Sequence, residues 1–160
     1  EIADGVILNW VLPVRVKTLL GQLDAGGSKA HRSIRPIVAS VVWAAVDEDT
    51  PELRRWLRSN ISAYMFAMDP YRRAIRDNGF ATTVQQLEEA GARGDRDGVR
   101  NALPDELLEQ MVMFGPLDRV QSGLVRLVDA GVDRLLIMFV TAQKDGLACC
   151  HHTIEALAPS

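Results

Sequence analysis

The chain has 160 residues, of which 48% are apolar and 24% are charged, and its formal net charge is -3. This composition is typical of one ordinary globular domain, and its slightly acidic balance gives no electrostatic reason to expect binding to nucleic acid or to an anionic membrane. No apolar run reaches the roughly 18 residues that a membrane-spanning helix needs.

The chain begins with two buried-strand patterns joined by a helix pattern. Asp4–Val11 and Pro36–Val46 are apolar runs with several β-branched residues, which is typical of strands in a parallel sheet. Between them, residues 13–27 show the spacing of an amphipathic helix, and Gly26 and Gly27 predict where that helix ends. Together these segments predict a βαβ unit and a parallel sheet.

A long and mostly helical region follows the second strand. Its first helix is predicted to begin with Thr50 as the N-cap and Pro51 at the first helical position, with Glu52 in the first turn. Four further segments predict helices or helical turns: "DPYRRAIRDNGF", "TTVQQLEEAGARGD", "DRDGVRNAL" and "PDELLEQMVMFG". Because connections in a compact domain are usually much shorter, this region predicts an inserted helical layer.

The last part of the chain predicts one more helix–strand pair and a final helix. Apolar residues recur on one face of the first of these helices, and Gly131 predicts its end; the face consists of Leu117, Val120, Leu124, Leu127 and Val128. A third buried strand is predicted at Asp133–Phe139, and "LACCHHTIEALAP" predicts the final helix. Three parallel strands with helices outside predict an α/β fold, either part of a doubly wound sheet or part of a (β/α) barrel.

Three segments in register carry a family resemblance. "ADGVILNWVLP", "VVWAAVDEDTPELRRWL" and "LPDELLEQMVMFGPLDRVQSGLVRLVDAGVDRLLIMF" together resemble the luciferase-like monooxygenase superfamily, and most closely its flavin- or deazaflavin-dependent oxidoreductases. The likeness covers nearly the whole chain up to Phe139. It implies the C-terminal part of a (β/α)8 TIM barrel, forming one partial domain over residues 1–160.

On that pattern the three predicted strands would be strands six, seven and eight of the barrel. Strands one to five would be missing, and three strands cannot close a barrel. Unpaired strand edges recruit partners. We therefore expect the chain to associate with a copy of itself, as a dimer, or with the missing N-terminal half of the barrel.

The resemblance also implies a function for the parent enzyme. Such an oxidoreductase passes a hydride or electrons between coenzyme F420 or FMN and a small organic substrate, and the cofactor carries the difficult chemical step. This chain would supply one wall of the cofactor pocket and be inactive or incomplete alone. No catalytic acid or base is identified in the sequence. The alternative is a non-catalytic scaffold, in which the same piece of fold serves association.

Candidate cofactor-binding residues follow from the rule that barrel active sites lie at the carboxyl ends of the strands. Asn9 and Trp10 end the first strand, and they would hydrogen-bond and stack on a flavin-like ring; otherwise Trp10 covers the barrel rim and Asn9 caps a turn. Trp43 lies late in the second strand, where it contacts cofactor or fills the barrel. Lys144 follows the last strand, where it meets a phosphate or is a solvated loop residue. The acidic run 47–49 would repel a phosphorylated cofactor and more naturally favours the start of the next helix.

Two other groups of residues suggest sites but have simpler interpretations. The run Cys149–His152 suggests zinc, yet consecutive helical residues point in different directions, so no metal site is predicted. The adjacent cysteines cannot link distant segments, which favours a reduced, cytoplasmic setting. Apolar residues of the helical region either line a substrate channel or serve helix packing or a dimer seam; they are Tyr64, Met65, Phe66, Met68, Tyr71, Met111, Met113 and Phe114.

Overall fold

The computed structural model describes residues 3–32 and 34–158. The elements follow the order β1 (Gly5–Asn9), α1 (Pro13–Lys29), β2 (Ile37–Val46), α2 (Pro51–Ala67), α3 (Asp69–Asp77), α4 (Ala81–Ala92), α5 (Arg96–Asn101), α6 (Asp105–Met111), β3 (Val112–Gly115), α7 (Leu117–Asp129), β4 (Arg134–Phe139) and α8 (Gly146–Leu157). They form two compact units. The sheet unit comprises Glu1–Glu48, Gln110–Thr141 and Asp145–Ser160, and the helical unit comprises Asp49–Glu109 and Ala142–Lys144.

The sheet unit contains a parallel sheet organised around its longest strand, β2. Strand β1 pairs with the amino-terminal half of β2, where Gly5 lies opposite Ile37, and β4 pairs along its middle. Strand β3 pairs with the carboxyl-terminal end of β2, from Trp43 opposite Val112 to Val46 opposite Gly115. The predicted α/β fold with a parallel sheet is confirmed. Strands β1 and β2 lie within the predicted segments Asp4–Val11 and Pro36–Val46.

The structure contains a strand, β3, that the sequence analysis does not predict. The segment "PDELLEQMVMFG" is predicted to form a helix or helical turns, with no strand. In the structure the helix ends at Met111, and Val112–Gly115 form a strand whose residues are all buried. A buried strand of four residues is too short to show a periodicity that separates it from a helix. Pairing with the end of β2 decides its conformation.

One face of the sheet carries the main core of this unit. Val42 and Ala44 of β2 pack with Val16 of α1 and with Val120 and Leu127 of α7. Residues two apart on a strand share a face, so this is the helix-covered face of the sheet. The alternate residues of β2, including Val41 and Trp43, lie on the opposite face.

Two predictions about helices in the sheet unit are wrong in detail. Helix α1 continues past Gly26 and Gly27 to Lys29, because a helix tolerates glycine and neither residue adopts a positive φ. On α7, Leu117 and Val128 are exposed although the apolar spacing includes them. The prediction for Gly131 agrees with the structure: its φ is 110°, in the region that favours glycine, directly after the helix.

Asp133 fixes the start of β4 against β2. Its backbone N–H donates to the carbonyl of Val38 at 2.8 Å, and its carboxylate accepts from the N–H of Val38 at 2.8 Å. The same carboxylate pairs with Arg35 at 2.6 Å. This arrangement sets the register of the two strands at their amino ends. Arg35 therefore has a structural contact at the end of the sheet opposite the predicted site.

The helical unit is held at one end by Arg54. Helix α2 begins as predicted, with the Thr50 hydroxyl accepting from the N–H of Leu53 at 3.2 Å. Arg54 binds both carboxylate oxygens of Asp49 at 2.6 Å, and it also binds Asp105 at 2.6 Å and Glu109 at 2.9 Å. The hydrogen bonds to Asp49, more than any other contact, hold the pKa of the guanidinium above its ordinary value, and burial opposes this shift only in part.

Candidate cofactor site at the carboxyl ends of the strands

The sheet presents an open apolar face opposite the helix-covered one. The registers place Ile7 beside Ala39, Leu136 beside Val41 and Met138 beside Trp43, so these side chains share one face. Its large apolar residues are between 43% and 68% exposed: Ile7, Ile37, Leu136 and Met138. A continuous exposed apolar surface of this kind marks a place where another molecule or segment binds.

Two tryptophans pack together where this face reaches the carboxyl ends of β1 and β2. The ring centroids of Trp10 and Trp43 lie 5.0 Å apart, with the ring planes at 73° in an edge-to-face arrangement. Both side chains are only 7% exposed. The pair brings together two of the sequence-predicted site residues, and burial shows that both rings also serve packing.

The backbone at Trp10 is unusual. Its φ is 49°, in the left-handed region that bulky residues rarely adopt. Such conformations persist only where the surroundings enforce them, and they are frequent at functional sites. Asn9, the preceding residue, ends β1 on the open face and is exposed. The strained turn therefore separates an exposed polar side chain, Asn9, from a buried aromatic one.

The carboxyl end of β2 is anchored by α8 and by β3. The N–H of Val46 donates to the Thr153 hydroxyl at 3.1 Å, and both residues are buried. The N–H of Asp47 donates to the carbonyl of Gly115 at 3.1 Å. Thr153 carries no sequence signal, because a threonine in an amphipathic helix is ordinary. It nonetheless fixes the strand end that carries Trp43.

The fourth predicted residue, Lys144, is exposed in the loop between β4 and α8 and belongs to the helical unit. Lys144 and the tryptophan pair therefore belong to different units. Of the acidic run, Asp49 is bound to Arg54, and Asp47 accepts from the N–H of Glu48 at 2.8 Å. Asp49 thus has a structural role at the start of α2, and the Asp47 carboxylate makes a local contact within the turn before it.

The remaining candidates separate into packing residues and exposed residues. Met65, Met111, Met113 and Phe114 are buried, which agrees with helix and sheet packing. Tyr64, Phe66 and Met68 are 45% to 48% exposed. Cys149 and Cys150 are free thiols, and residues 3–32 and 34–158 contain no group of metal-ligating side chains arranged for an ion. Within the same residues, no helix has the length and apolarity to cross a membrane.

The parallel sheet and the helices that cover one of its faces define an α/β fold. The sequence model of the luciferase-like monooxygenase family matches residues 1–134, and the chain belongs to this family. The resemblance seen in the sequence is thereby confirmed.

Relatives and solved structures agree with this assignment. The chain is 28% identical over 142 residues to the 5,10-methylenetetrahydromethanopterin reductase of Archaeoglobus fulgidus. The aligned region covers 85% of this chain and 42% of that reductase. The fold is similar to that of the coenzyme F420 dependent tetrahydromethanopterin reductase of Methanopyrus kandleri, with a TM-score of 0.71, 20% identity, and coverage of 94% of this chain and 43% of that one. It also resembles an F420-dependent secondary alcohol dehydrogenase solved with an F420-acetone adduct, with a TM-score of 0.59, 14% identity, and coverage of 98% and 43%. The chain thus spans less than half the length of these proteins.

Proposed function

We propose that this chain is the C-terminal portion of an F420-dependent oxidoreductase and forms one wall of its cofactor pocket. In this interpretation β1, β2 and β4 are strands six, seven and eight of a (β/α)8 barrel. The observation that carries the proposal is the open apolar face of the sheet, which ends at Asn9 and the tryptophan pair. The helices of an α/β barrel lie outside its strands, so a sheet face without helices corresponds to the barrel interior.

The site residues fit one side of a deazaflavin ring. Met138 and the neighbouring open face offer a flat apolar surface, and the exposed amide of Asn9 can donate to or accept from a polar ring edge. Trp10 and Trp43 support that edge, because their packing holds the turn after β1 in place. Lys144 is assigned to the cofactor phosphate, and this assignment stays a prediction.

Coenzyme F420 is a better candidate than FMN because the names of the compared reductase and dehydrogenase structures specify F420. When bound, the deazaflavin supplies hydride transfer to or from a small organic substrate. The residues of this chain orient the ring and exclude water from one side of it. The other side of the pocket, and the catalytic acid or base, would come from outside this chain.

Association is the second part of the proposal. Burying the open face requires a partner, either the N-terminal barrel half or a second copy of this chain in a dimer. A chain that only associates, without binding cofactor, is the alternative function, and the same exposed face supports it. We place the protein in the cytoplasm, because both cysteines are free thiols.

A fluorescence titration tests the cofactor part. The purified chain is titrated with F420 and, separately, with FMN, and the Asn9→Ala variant is titrated beside it. We expect F420 to bind saturably and FMN to bind more weakly. The Asn9→Ala variant should bind F420 more weakly than the wild type. Failure of F420 to bind while the chain forms dimers would favour the association-only alternative.

A further inference from the structure

The helical unit contains a cavity whose lining includes none of the residues assigned to the cofactor. Its volume is about 520 Å³, it is open to solvent on one side, and helices α2, α4 and α5 and the turn between the last two line it. All of its lining residues belong to the helical unit. Pockets that bind small molecules have volumes of about 300–1,000 Å³, so this cavity has the size of a ligand site.

The cavity has an apolar wall that depends on a glycine. Ala63 and Phe66 of α2 and Val99 of α5 line it, and Phe66 is 48% exposed. Gly91 of α4 faces the Phe66 ring so closely that a Cβ atom at this position would overlap the ring. The glycine therefore lets the ring lie against α4, and the ring remains available as a surface for an apolar ligand.

The polar lining of the cavity consists of Ser59, Ser62, Asp95, Arg96 and Arg100. Arg100 pairs with Asp97 at 2.6 Å, and the Asp95 carboxylate accepts from the backbone N–H of Gly98 at 2.8 Å. Arg96 is exposed at the cavity, and in the described part of the chain its side chain has no hydrogen-bond or ion-pair partner. A guanidinium that lacks an acidic partner beside an apolar wall favours a ligand with an anionic head.

We propose that this cavity binds a small amphiphilic carboxylate. The apolar chain or ring of the ligand packs against Phe66, Ala63 and Val99, and its carboxylate accepts hydrogen bonds from Arg96. The site goes beyond the proposed cofactor function and does not depend on it, since none of the lining residues is among those assigned to the cofactor.

Octanoate is the test probe, and 1-octanol is its uncharged counterpart. The full 160-residue chain is titrated with each by calorimetry, and the backbone amide signals of Gly91, Gly94 and Val99 are followed by NMR. We expect one octanoate to bind saturably per chain and to shift these three signals. Octanol should bind clearly more weakly. A lack of saturable octanoate binding, or equal binding of octanol, overturns the proposal.

Three variants separate this site from nonspecific binding. Arg96→Gln removes the charge-assisted hydrogen bonds and should weaken octanoate binding about ten-fold or more. Ala63→Leu narrows the cavity from an exposed helical position and should weaken octanoate binding. Arg93→Gln is the matched control, because Arg93 is exposed directly after α4 but outside the cavity lining. An equal loss in Arg93→Gln and Arg96→Gln would show nonspecific attraction and refute the site, whatever the outcome of the F420 titration.

Discussion

Replacing Thr153 with valine should loosen the carboxyl end of β2, the strand that carries Trp43. Valine has nearly the shape of threonine but cannot accept the hydrogen bond from the N–H of Val46, which is 3.1 Å from the hydroxyl in a buried environment. A buried donor left without its partner costs about 1–3 kcal/mol. For a chain of this size, a loss of about 2 kcal/mol corresponds to a fall in Tm of roughly 4–8 °C.

Hydrogen exchange at the Val46 amide is the most specific measurement of this effect. In Thr153→Val the amide should exchange faster relative to the other β2 amides, because its acceptor is gone. Thr153→Ser keeps the hydroxyl and loses only a methyl group, which costs roughly 0.8 kcal/mol, so its Val46 amide should stay protected. Equal protection of this amide in the wild type and in Thr153→Val would refute the anchoring role.

Three further predictions follow from contacts within one unit. Asp133→Ala should lower the free energy of unfolding in urea by about 1–3 kcal/mol, because it leaves the Val38 N–H without its acceptor. Arg35→Ala should lower it by less than about 1 kcal/mol, because that ion pair is partly exposed. Equal losses in the two variants would contradict the role assigned to Asp133. Arg54→Leu should cost about 1–3 kcal/mol in the same assay, since it leaves neighbouring carboxylates without their shared cation. Leu136→Lys and Met138→Lys place charges on the open face and should shift the dimer proposed for this chain to monomer in light scattering. A dimer that both variants leave unchanged would show that this face is not the contact.

The sequence predicts the long elements well, because their patterns express local physics. Thr50 followed by Pro51 specifies a helix start through capping and a fixed φ, and the structure has both features. The apolar runs of β1 and β2 specify strands for the same reason. The prediction of burial holds for most of β2 but is wrong for β1, whose residues are exposed or half-buried beside the open face. Strand β3 is missed because only its pairing with β2 distinguishes four buried residues from a continuing helix.

The candidate site is predictable only in part. The barrel rule brings Asn9, Trp10 and Trp43 to the carboxyl ends of the strands, and the tryptophans meet there. The anchoring by Thr153 has no local signal, since it joins segments far apart in the chain, and no residue pattern marks the left-handed backbone at Trp10. The single partial domain over residues 1–160 and the role of Lys144 stay predictions.

The central claim is that the strand ends around Trp10 and Trp43 form one wall of an F420 pocket. NMR of the indole N–H signals during an F420 titration tests it most directly, because these two side chains report on this location. The claim predicts that both signals shift, saturate together and shift less with FMN. If F420 binds the chain while the indole signals of Trp10 and Trp43 stay unchanged, this result would contradict the proposed pocket wall.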